Sequence, residues 1–356
     1  MTVADRAHVA RVLAVQAEGC AALGSTLYHH LLSMAAEDAL AGGPVCEVMS
    51  GSANPRRRDA AGLRLMAAVH RLVLLREAPR LACFYPSVGG TANLDEAWPA
   101  FRALLAERGD EVRELAARPC QTNEVGRTAL LLPGFLQVAR ETGLPLRLLE
   151  IGSSAGLQLR WDAFFFDMGY GTWGRPSSPV RLYGRWEGPP ADLDGTVKIV
   201  ERRGCDPHPV DPSTPEGRLT LTASVWADQV GRFESLRGAL ELAGRIPARV
   251  DTARAGDWLP GRLAEAVPGV ATVVFHTIVL QYLAPAELAT VRETLSEAGT
   301  RATPEAPLAW LFFEPEDPET MSLDMPYVVE LVTWPGGTRR RLAVASPHGA
   351  WIRWVA

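Results

Sequence analysis

The chain has 356 residues, 47% hydrophobic and 22% charged, with a formal net charge of −5. That balance is ordinary for a folded globular protein, leaves core enough for one large or two smaller domains, and excludes a strongly basic nucleic-acid-binding surface. The five cysteines lie far apart with no C-x-x-C pair, and His29 and His30 are adjacent and cannot share a helix face, so no metal site is expected and a reducing cytoplasm is.

No basic start followed by an apolar stretch marks a signal peptide. Residues 1 to about 142 repeat apolar residues at three- and four-residue spacing, as in "DRAHVARVLAVQAEGCAALG" and "DAAGLRLMAAVHRLVLLREAP", which predicts helices separated by loops such as "YPSVGGTANLD". In "CQTNEVGRTALLLPGFLQVARETG", Thr122 or Asn123 is placed to cap a helix reaching about residue 141, with Val125, Leu132, Phe135 and Leu136 on its apolar face. A short turn then enters "LRLLEI", so helix and strand run antiparallel. The helix start then lies roughly 25 Å from its end, near the C-terminal edge of the strand. Gln121, Asn123, Glu124 and Arg127 thereby reach the edge where α/β folds bind ligands. The alternative is a solvated cap with a Glu124–Arg127 pair at i,i+3.

From residue 146 strand-like runs alternate with helices: "LRLLEI", "VKIVERRG", "ARVDTA", "ATVVFH" and "LAWLFFE". This predicts an α/β fold, a mainly parallel sheet with helices on both faces. The helical N-terminal region is expected over 1–119 and the α/β domain over 120–356. The apolar run "GVATVVFHTIVLQYLA" is too short to span a bilayer and contains His276 and Gln281, so it reads as a buried parallel strand and no membrane partner is expected. "YVVELVTWPGGTRRRLAVA" reads as an antiparallel hairpin turning at Pro335-Gly336-Gly337. The segment "DPETMSLDMP" before it is too short for a parallel crossover, so an antiparallel return is expected, bringing His348 toward the ligand edge.

"LLEIGSSAGLQLRWD" carries the chemistry. An apolar strand ends in Glu150, a small-residue turn follows over Gly152 to Gly156, and a helix is expected next. Strand, glycine turn and helix form a cradle for a ligand at a helix N-terminus. Gly152 to Gly156 also spells G-x-S-x-G, a nucleophile elbow with Ser154 at its centre and a later acid and histidine available, for example Asp324 and His348. The cofactor reading uses Glu150, an acid otherwise costly at the end of a buried strand, and predicts further acids at later strand ends.

The motif "LEIGSSAG" resembles the first motif of class I S-adenosylmethionine-dependent methyltransferases, with Glu150, Gly152 and Gly156 matching and Ser154 in place of the middle glycine. "VKIVERRGCDPHPVD" resembles the second, where an acid holds the ribose hydroxyls; Asp206 is the better match and Glu201 the second. "ARAGDWLPGRL" resembles the third, which grips adenine, and points to Asp257 and Trp258. "VVFHTIVLQYL" resembles the fourth strand and its catalytic edge, with Tyr282 a substrate contact and His276 placed to take a proton from an attacking oxygen or nitrogen. The whole chain more closely resembles a bacterial family of unknown function. That family combines "QTNE-x-x-R" (Gln121 to Arg127), "EIG-x-SAGLNL" (here "EIGSSAGLQL", with Gln158 for Asn), "GxDxxPxD" (Gly204 to Asp211) and "HG-x-W" (His348 to Trp351).

These resemblances imply a Rossmann-like class I methyltransferase-type domain using S-adenosylmethionine on an unidentified acceptor. A serine hydrolase using Ser154 and a non-catalytic S-adenosylmethionine-binding protein are the alternatives. Each motif also has a plainer reading, Asp206 as a turn residue and Asp257 as a helix N-cap. The aromatic run Trp161, Phe164, Phe165, Phe166, Tyr170 and Trp173 is either core under a lid or the wall of an acceptor pocket.

Overall fold

A computed structural model describes residues 2–50, 60–91, 93–184, 186–317, 326–347 and 351–355. The chain forms two compact units, Met1–Thr122 with Thr214–Glu234, and Asn123–Ser213 with Ser235–Ala356.

Among its described residues the first unit is helical: α1 (Val3–Ala22), α2 (Thr26–Ala41), α3 (Pro44–Val48), α4 (Ala61–Leu74), α5 (Pro79–Ala82), α6 (Leu94–Ala116) and, from the later segment, α8 (Pro215–Ala223) and the start of α9 (Val230–Ala243). Thr2 and Asp5 start α1 with reciprocal side-chain-to-amide bonds of 3.2 and 2.8 Å, which satisfy two amides the helix cannot use itself. Apolar residues at helical spacing, among them Leu13, Leu31, Leu65, Val69 and Phe101, meet in one core that also takes Trp226. The segment holding Trp226 is tied in by Asp228, which accepts from the Ser25 hydroxyl at 2.7 Å and the Leu27 amide at 3.0 Å.

The second unit opens differently from the sequence expectation. Neither Thr122 nor Asn123 caps a helix; a 3-10 turn spans Val125–Arg127, capped by Glu124 accepting from the Gly126 amide at 3.0 Å, and α7 (Thr128–Thr142) follows. The Asn123 side chain is drawn off to a loop described below.

The strands are β1 (Leu146–Ile151), β2 (Phe165–Asp167), β3 (Thr172–Gly174), β4 (Arg181–Tyr183), β5 (Trp186–Glu187), β6 (Ile199–Asp206), β7 (Arg249–Thr252), β8 (Ala271–Thr277), β9 (Leu308–Pro315), β10 (Tyr327–Trp334), β11 (Thr338–Ala345) and β12 (Ile352–Trp354). Among the described residues nine make one sheet in the order β5-β12-β11-β10-β9-β8-β1-β6-β7. β7, β6, β1, β8 and β9 run parallel. β10, β11 and β12 then continue antiparallel, and β10–β11 is the hairpin expected from the sequence. Every residue of β1 and β8 is buried, which is why both read as predominantly apolar runs. The short edge strand β7 is only half-buried and correspondingly polar.

Helices cover both faces of this sheet. Val274 packs in a cluster with Trp258 and Leu259 of α10 (Ala255–Arg262) and Val291 and Leu295 of α11 (Pro285–Thr300). Its neighbour Phe275 points the other way, as alternate strand residues must, and meets Phe135 of α7 edge-on at 5.2 Å.

The expected helix after Gly156 does not form. Gln158–Ala163 is a 3-10 turn broken at Arg160, and the chain goes directly into a small sheet of order β3-β2-β4. The aromatic run folds as core there: Trp161, Phe164 and Phe166 are fully buried, and Trp161 stacks on Phe135 at 4.4 Å. A helix would rotate these rings onto several faces; the irregular turn lets them enter one core.

Candidate functional site

After β1 the chain places β6 and β7 on one side, then crosses to place β8 and β9 on the other. The C-terminal ends of β1, β6 and β8 therefore border the point where strand order reverses, the position at which open α/β sheets leave a crevice.

The loop after β1 has φ of 67° at Gly152, 52° at Ser154 and 63° at Gly156. Two glycines tolerate that region freely, and Ser154 is strained in it. Ile278, just past β8, has φ of 55°, a rarer state still for a β-branched residue. The loop lies directly against β6: a Cβ on Gly204 would stand 1.9 Å from Ser153 Oγ and 2.9 Å from the Glu150 carbonyl oxygen.

Asp206, at the end of β6, accepts from the Ser154 amide at 2.9 Å and the His208 amide at 2.8 Å. It is mostly buried and each oxygen keeps a further lone pair. Glu150 is 2% exposed, and its Oε2 has no hydrogen-bond partner among the described residues. Burial, reinforced by the charge of Asp206, pushes its carboxyl well above the usual range against the opposing pull of Arg160 and the Ser153 hydroxyl. Arg160 is itself drawn down to about 10, first by burial and then by Arg202, and it donates to the carbonyls of Gly156 and Ile246, both at 2.7 Å.

The Asn123–Arg127 segment braces this loop. Asn123 donates to the Ser153 carbonyl at 2.9 Å and accepts from the Leu157 amide at 3.2 Å, bracketing the turn. Gln158 donates to the Glu124 carbonyl at 3.0 Å and to Thr277 Oγ1 at 3.1 Å. Arg127 donates to the carbonyls of Thr277 and Pro347, both at 3.3 Å. Asn123, Glu124 and Arg127 thus stand at the ends of β1 and β8. Gln121 belongs to the helical unit.

His276 is fully buried, and its Nε2 lies 3.0 Å from Trp310 Nε1. Indole can only donate, so Nε2 accepts and the ring proton is on Nδ1, which is 2.7 Å from Glu314 Oε1. Both ring nitrogens are thus engaged within the protein. Glu314 Oε1 also accepts from the amides of Val279 at 2.7 Å and Leu280 at 3.3 Å, holding the turn after Ile278.

Of the third motif's residues, Trp258 packs in a cluster with Leu259 of α10 and with α11, and donates to Asp251 at 2.8 Å. Asp257 is exposed in the first turn of α10. Glu201 pairs with Arg147 at 2.6 Å near the opposite end of β6. Tyr282 is half exposed on the turn after β8. His348 lies outside the described residues. Glu314 and Thr277 had no role in the sequence reading; for Glu314 the available signal is the one that marked Glu150, a carboxylate closing a buried apolar strand.

Among the described residues no group of three or more His, Cys, Asp or Glu side chains could hold a metal ion, and no helix is long and apolar enough to cross a membrane. A family model described as "Uncharacterized protein conserved in bacteria (DUF2332)" matches residues 10–354. The chain belongs to the DUF2332 family. No curated protein and no solved structure matches it. The braced loop, Asp206 and the buried Glu150 therefore stand, for this DUF2332 chain, on their own geometry.

Proposed function

We propose that this crevice binds S-adenosylmethionine and that the chain is a methyltransferase of Rossmann-like, class I type acting on a small-molecule acceptor. The observation that carries the reading is the contact between the Gly152–Gly156 loop and Asp206, Ser154 amide to Oδ2 at 2.9 Å, where strand order reverses. Asp206 keeps lone pairs for two ribose hydroxyls, and the loop backbone, free of large side chains, allows close approach. Buried oxygens without a hydrogen-bond partner among the described residues, Gln281 Oε1 just past β8 and Glu314 Oε2 at the C-terminal end of β9, support a ligand that supplies donors. The cofactor would supply an activated methyl group, and the protein's part is alignment. Asn123, Gln158 and Arg127 hold the loop and strand ends in place. The Trp258 indole N–H and both His276 ring nitrogens already have partners within the protein, so these polar atoms are not counted among the ligand's contacts.

Calorimetric titration with S-adenosylmethionine and S-adenosylhomocysteine tests this. Binding by the parent that weakens at least tenfold in Asp206→Ala, in a variant that remains folded, is the expected result. A folded parent that binds neither ligand refutes the reading.

One observation favours a second reading: Ser154, the centre of G-x-S-x-G at a strand end, has the positive φ of a strained elbow residue. A fluorophosphonate probe attached to Ser154 would support that reading, and an unlabelled Ser154 would exclude it.

A further inference from the structure

We propose that Ser87 and His70, in the helical unit, form an acyl-transfer dyad acting on carboxylic esters. Ser87 is part-exposed on the 3-10 turn Pro86–Val88, and His70 is fully buried on α4. Ser87 Oγ lies 2.8 Å from His70 Nε2, and His70 Nδ1 lies 3.1 Å from the carbonyl oxygen of Ala223. A carbonyl can only accept, so the ring proton is on Nδ1. Nε2 then presents its lone pair, and the Ser87 hydroxyl donates to it. This is the order nucleophile, base, orienting acceptor, with a main-chain carbonyl in the third place.

The surroundings suit that role. Tyr85 and Phe233 flank the imidazole at 5.6 and 6.0 Å between ring centres, fixing its plane. Burial draws His70 down to about 4, so the ring is in its basic form across the neutral range. The carbonyls of Ala223 and Val225 act in the opposite sense and stabilise the imidazolium that proton transfer creates. Beside the nucleophile, Gly89 has no side chain and Val88 exposes an apolar surface for an acyl group. The amides of Val88, Gly89 and Gly90 bond to carbonyls of their own turn at 3.0–3.1 Å, so no donor pair among them awaits an oxyanion. The dyad therefore suits reactive esters and not amides.

In the reaction, Ser87 Oγ attacks the ester carbonyl carbon as its proton passes to Nε2. The carbon–oxygen bond to the alcohol breaks, and the departing oxygen takes that proton. Water then attacks the acyl-Ser87 with its proton passing to Nε2; the bond to Oγ breaks and Oγ recovers the proton. The sum is ester and water to acid and alcohol.

The test uses the full chain with p-nitrophenyl acetate and an alkyl fluorophosphonate, followed by peptide mass spectrometry. The expected result is a covalent adduct on Ser87, lost in Ser87→Ala. His70→Gln keeps a donor for Ala223 and an acceptor for Ser87 without a base of comparable strength, and should slow labelling at least 100-fold while circular dichroism and the melt show a folded protein. The labelling rate of the parent should rise near pH 4 and then level off to pH 8, whereas a serine without a base climbs about tenfold per pH unit. If His70→Gln does not fold, that profile decides the matter. An unlabelled Ser87, a label found only at Ser154, labelling at the parental rate in a folded His70→Gln, or an unbroken climb with pH each overturns the proposal and leaves the contact as a tie between α4 and the turn.

Discussion

Replacing Glu314 tests whether the His276 network is a brace or a catalytic group. Glu314 Oε1 is the acceptor for three buried donors: His276 Nδ1 at 2.7 Å, the Val279 amide at 2.7 Å and the Leu280 amide at 3.3 Å. Glu314→Ala strips all three of their partner inside a site from which water is excluded. At about 1–3 kcal/mol for each donor left unsatisfied, with the longest contact worth least, the loss is on the order of 3–6 kcal/mol. Glu314→Gln keeps a carbonyl oxygen in the same place and gives up only the charge assistance, so its cost is about 1–2 kcal/mol. Urea unfolding at pH 7 separates the two variants by a shift of midpoint at constant slope. Trp310→Phe, which leaves the fully buried His276 Nε2 without its donor, should fall between them. If Glu314→Ala lies within about 1 kcal/mol of Glu314→Gln, the oxygen is not holding that turn, and the assignment of His276 to a structural role fails with it.

Three further outcomes follow from the geometry. The raised carboxyl of Glu150 makes the native state bind more protons than the unfolded chain above pH 4.5, so its contribution is greatest in acid and is lost as pH rises; Glu150→Gln should become progressively more stable than the parent with pH, by about 1.4 kcal/mol per unit until the native carboxyl ionises, and parallel stability profiles from pH 4 to 8 would refute this. For His70, drawn from 6.5 to about 4, the sign is opposite: stability is complete above pH 6.5 and falls by about 3 kcal/mol as pH drops to 4, and acid unfolding of a folded His70→Gln variant should lack that component. Gly204→Ala forces Ser153 and the loop away from β6 and should cost about 1–3 kcal/mol in a thermal melt, an unchanged midpoint being the contrary result.

Local pattern alone determined much of this fold. β1 and β8 are covered on both faces, so they had to be mostly apolar, and that bias is visible in the sequence. The helices before residue 117 announce themselves through their period, and the β10–β11 hairpin through Pro335-Gly336-Gly337. The placement of Asn123, Glu124 and Arg127 at the strand ends followed from helix length and a short turn. What became of the residues after Gly156 was not legible, because helix propensity is worth only tenths of a kcal/mol per residue there and burial of Trp161 and Phe164 against α7 and β2 outweighs it. Nor could the sequence say which side of its strand His276 faces or what meets it. Trp310 and Glu314 lie 34 and 38 residues away and reach the imidazole only because β9 pairs with β8 in a register that sets Phe312 beside it. Asp206 was visible as an acid closing a strand. Its bond from the His208 amide, two residues on, is the local turn that the sequence also allowed. That its other oxygen is held by the Ser154 amide was decided by parallel pairing of β1 with β6, since a contact across 52 residues is fixed by register and not by any local preference of the chain.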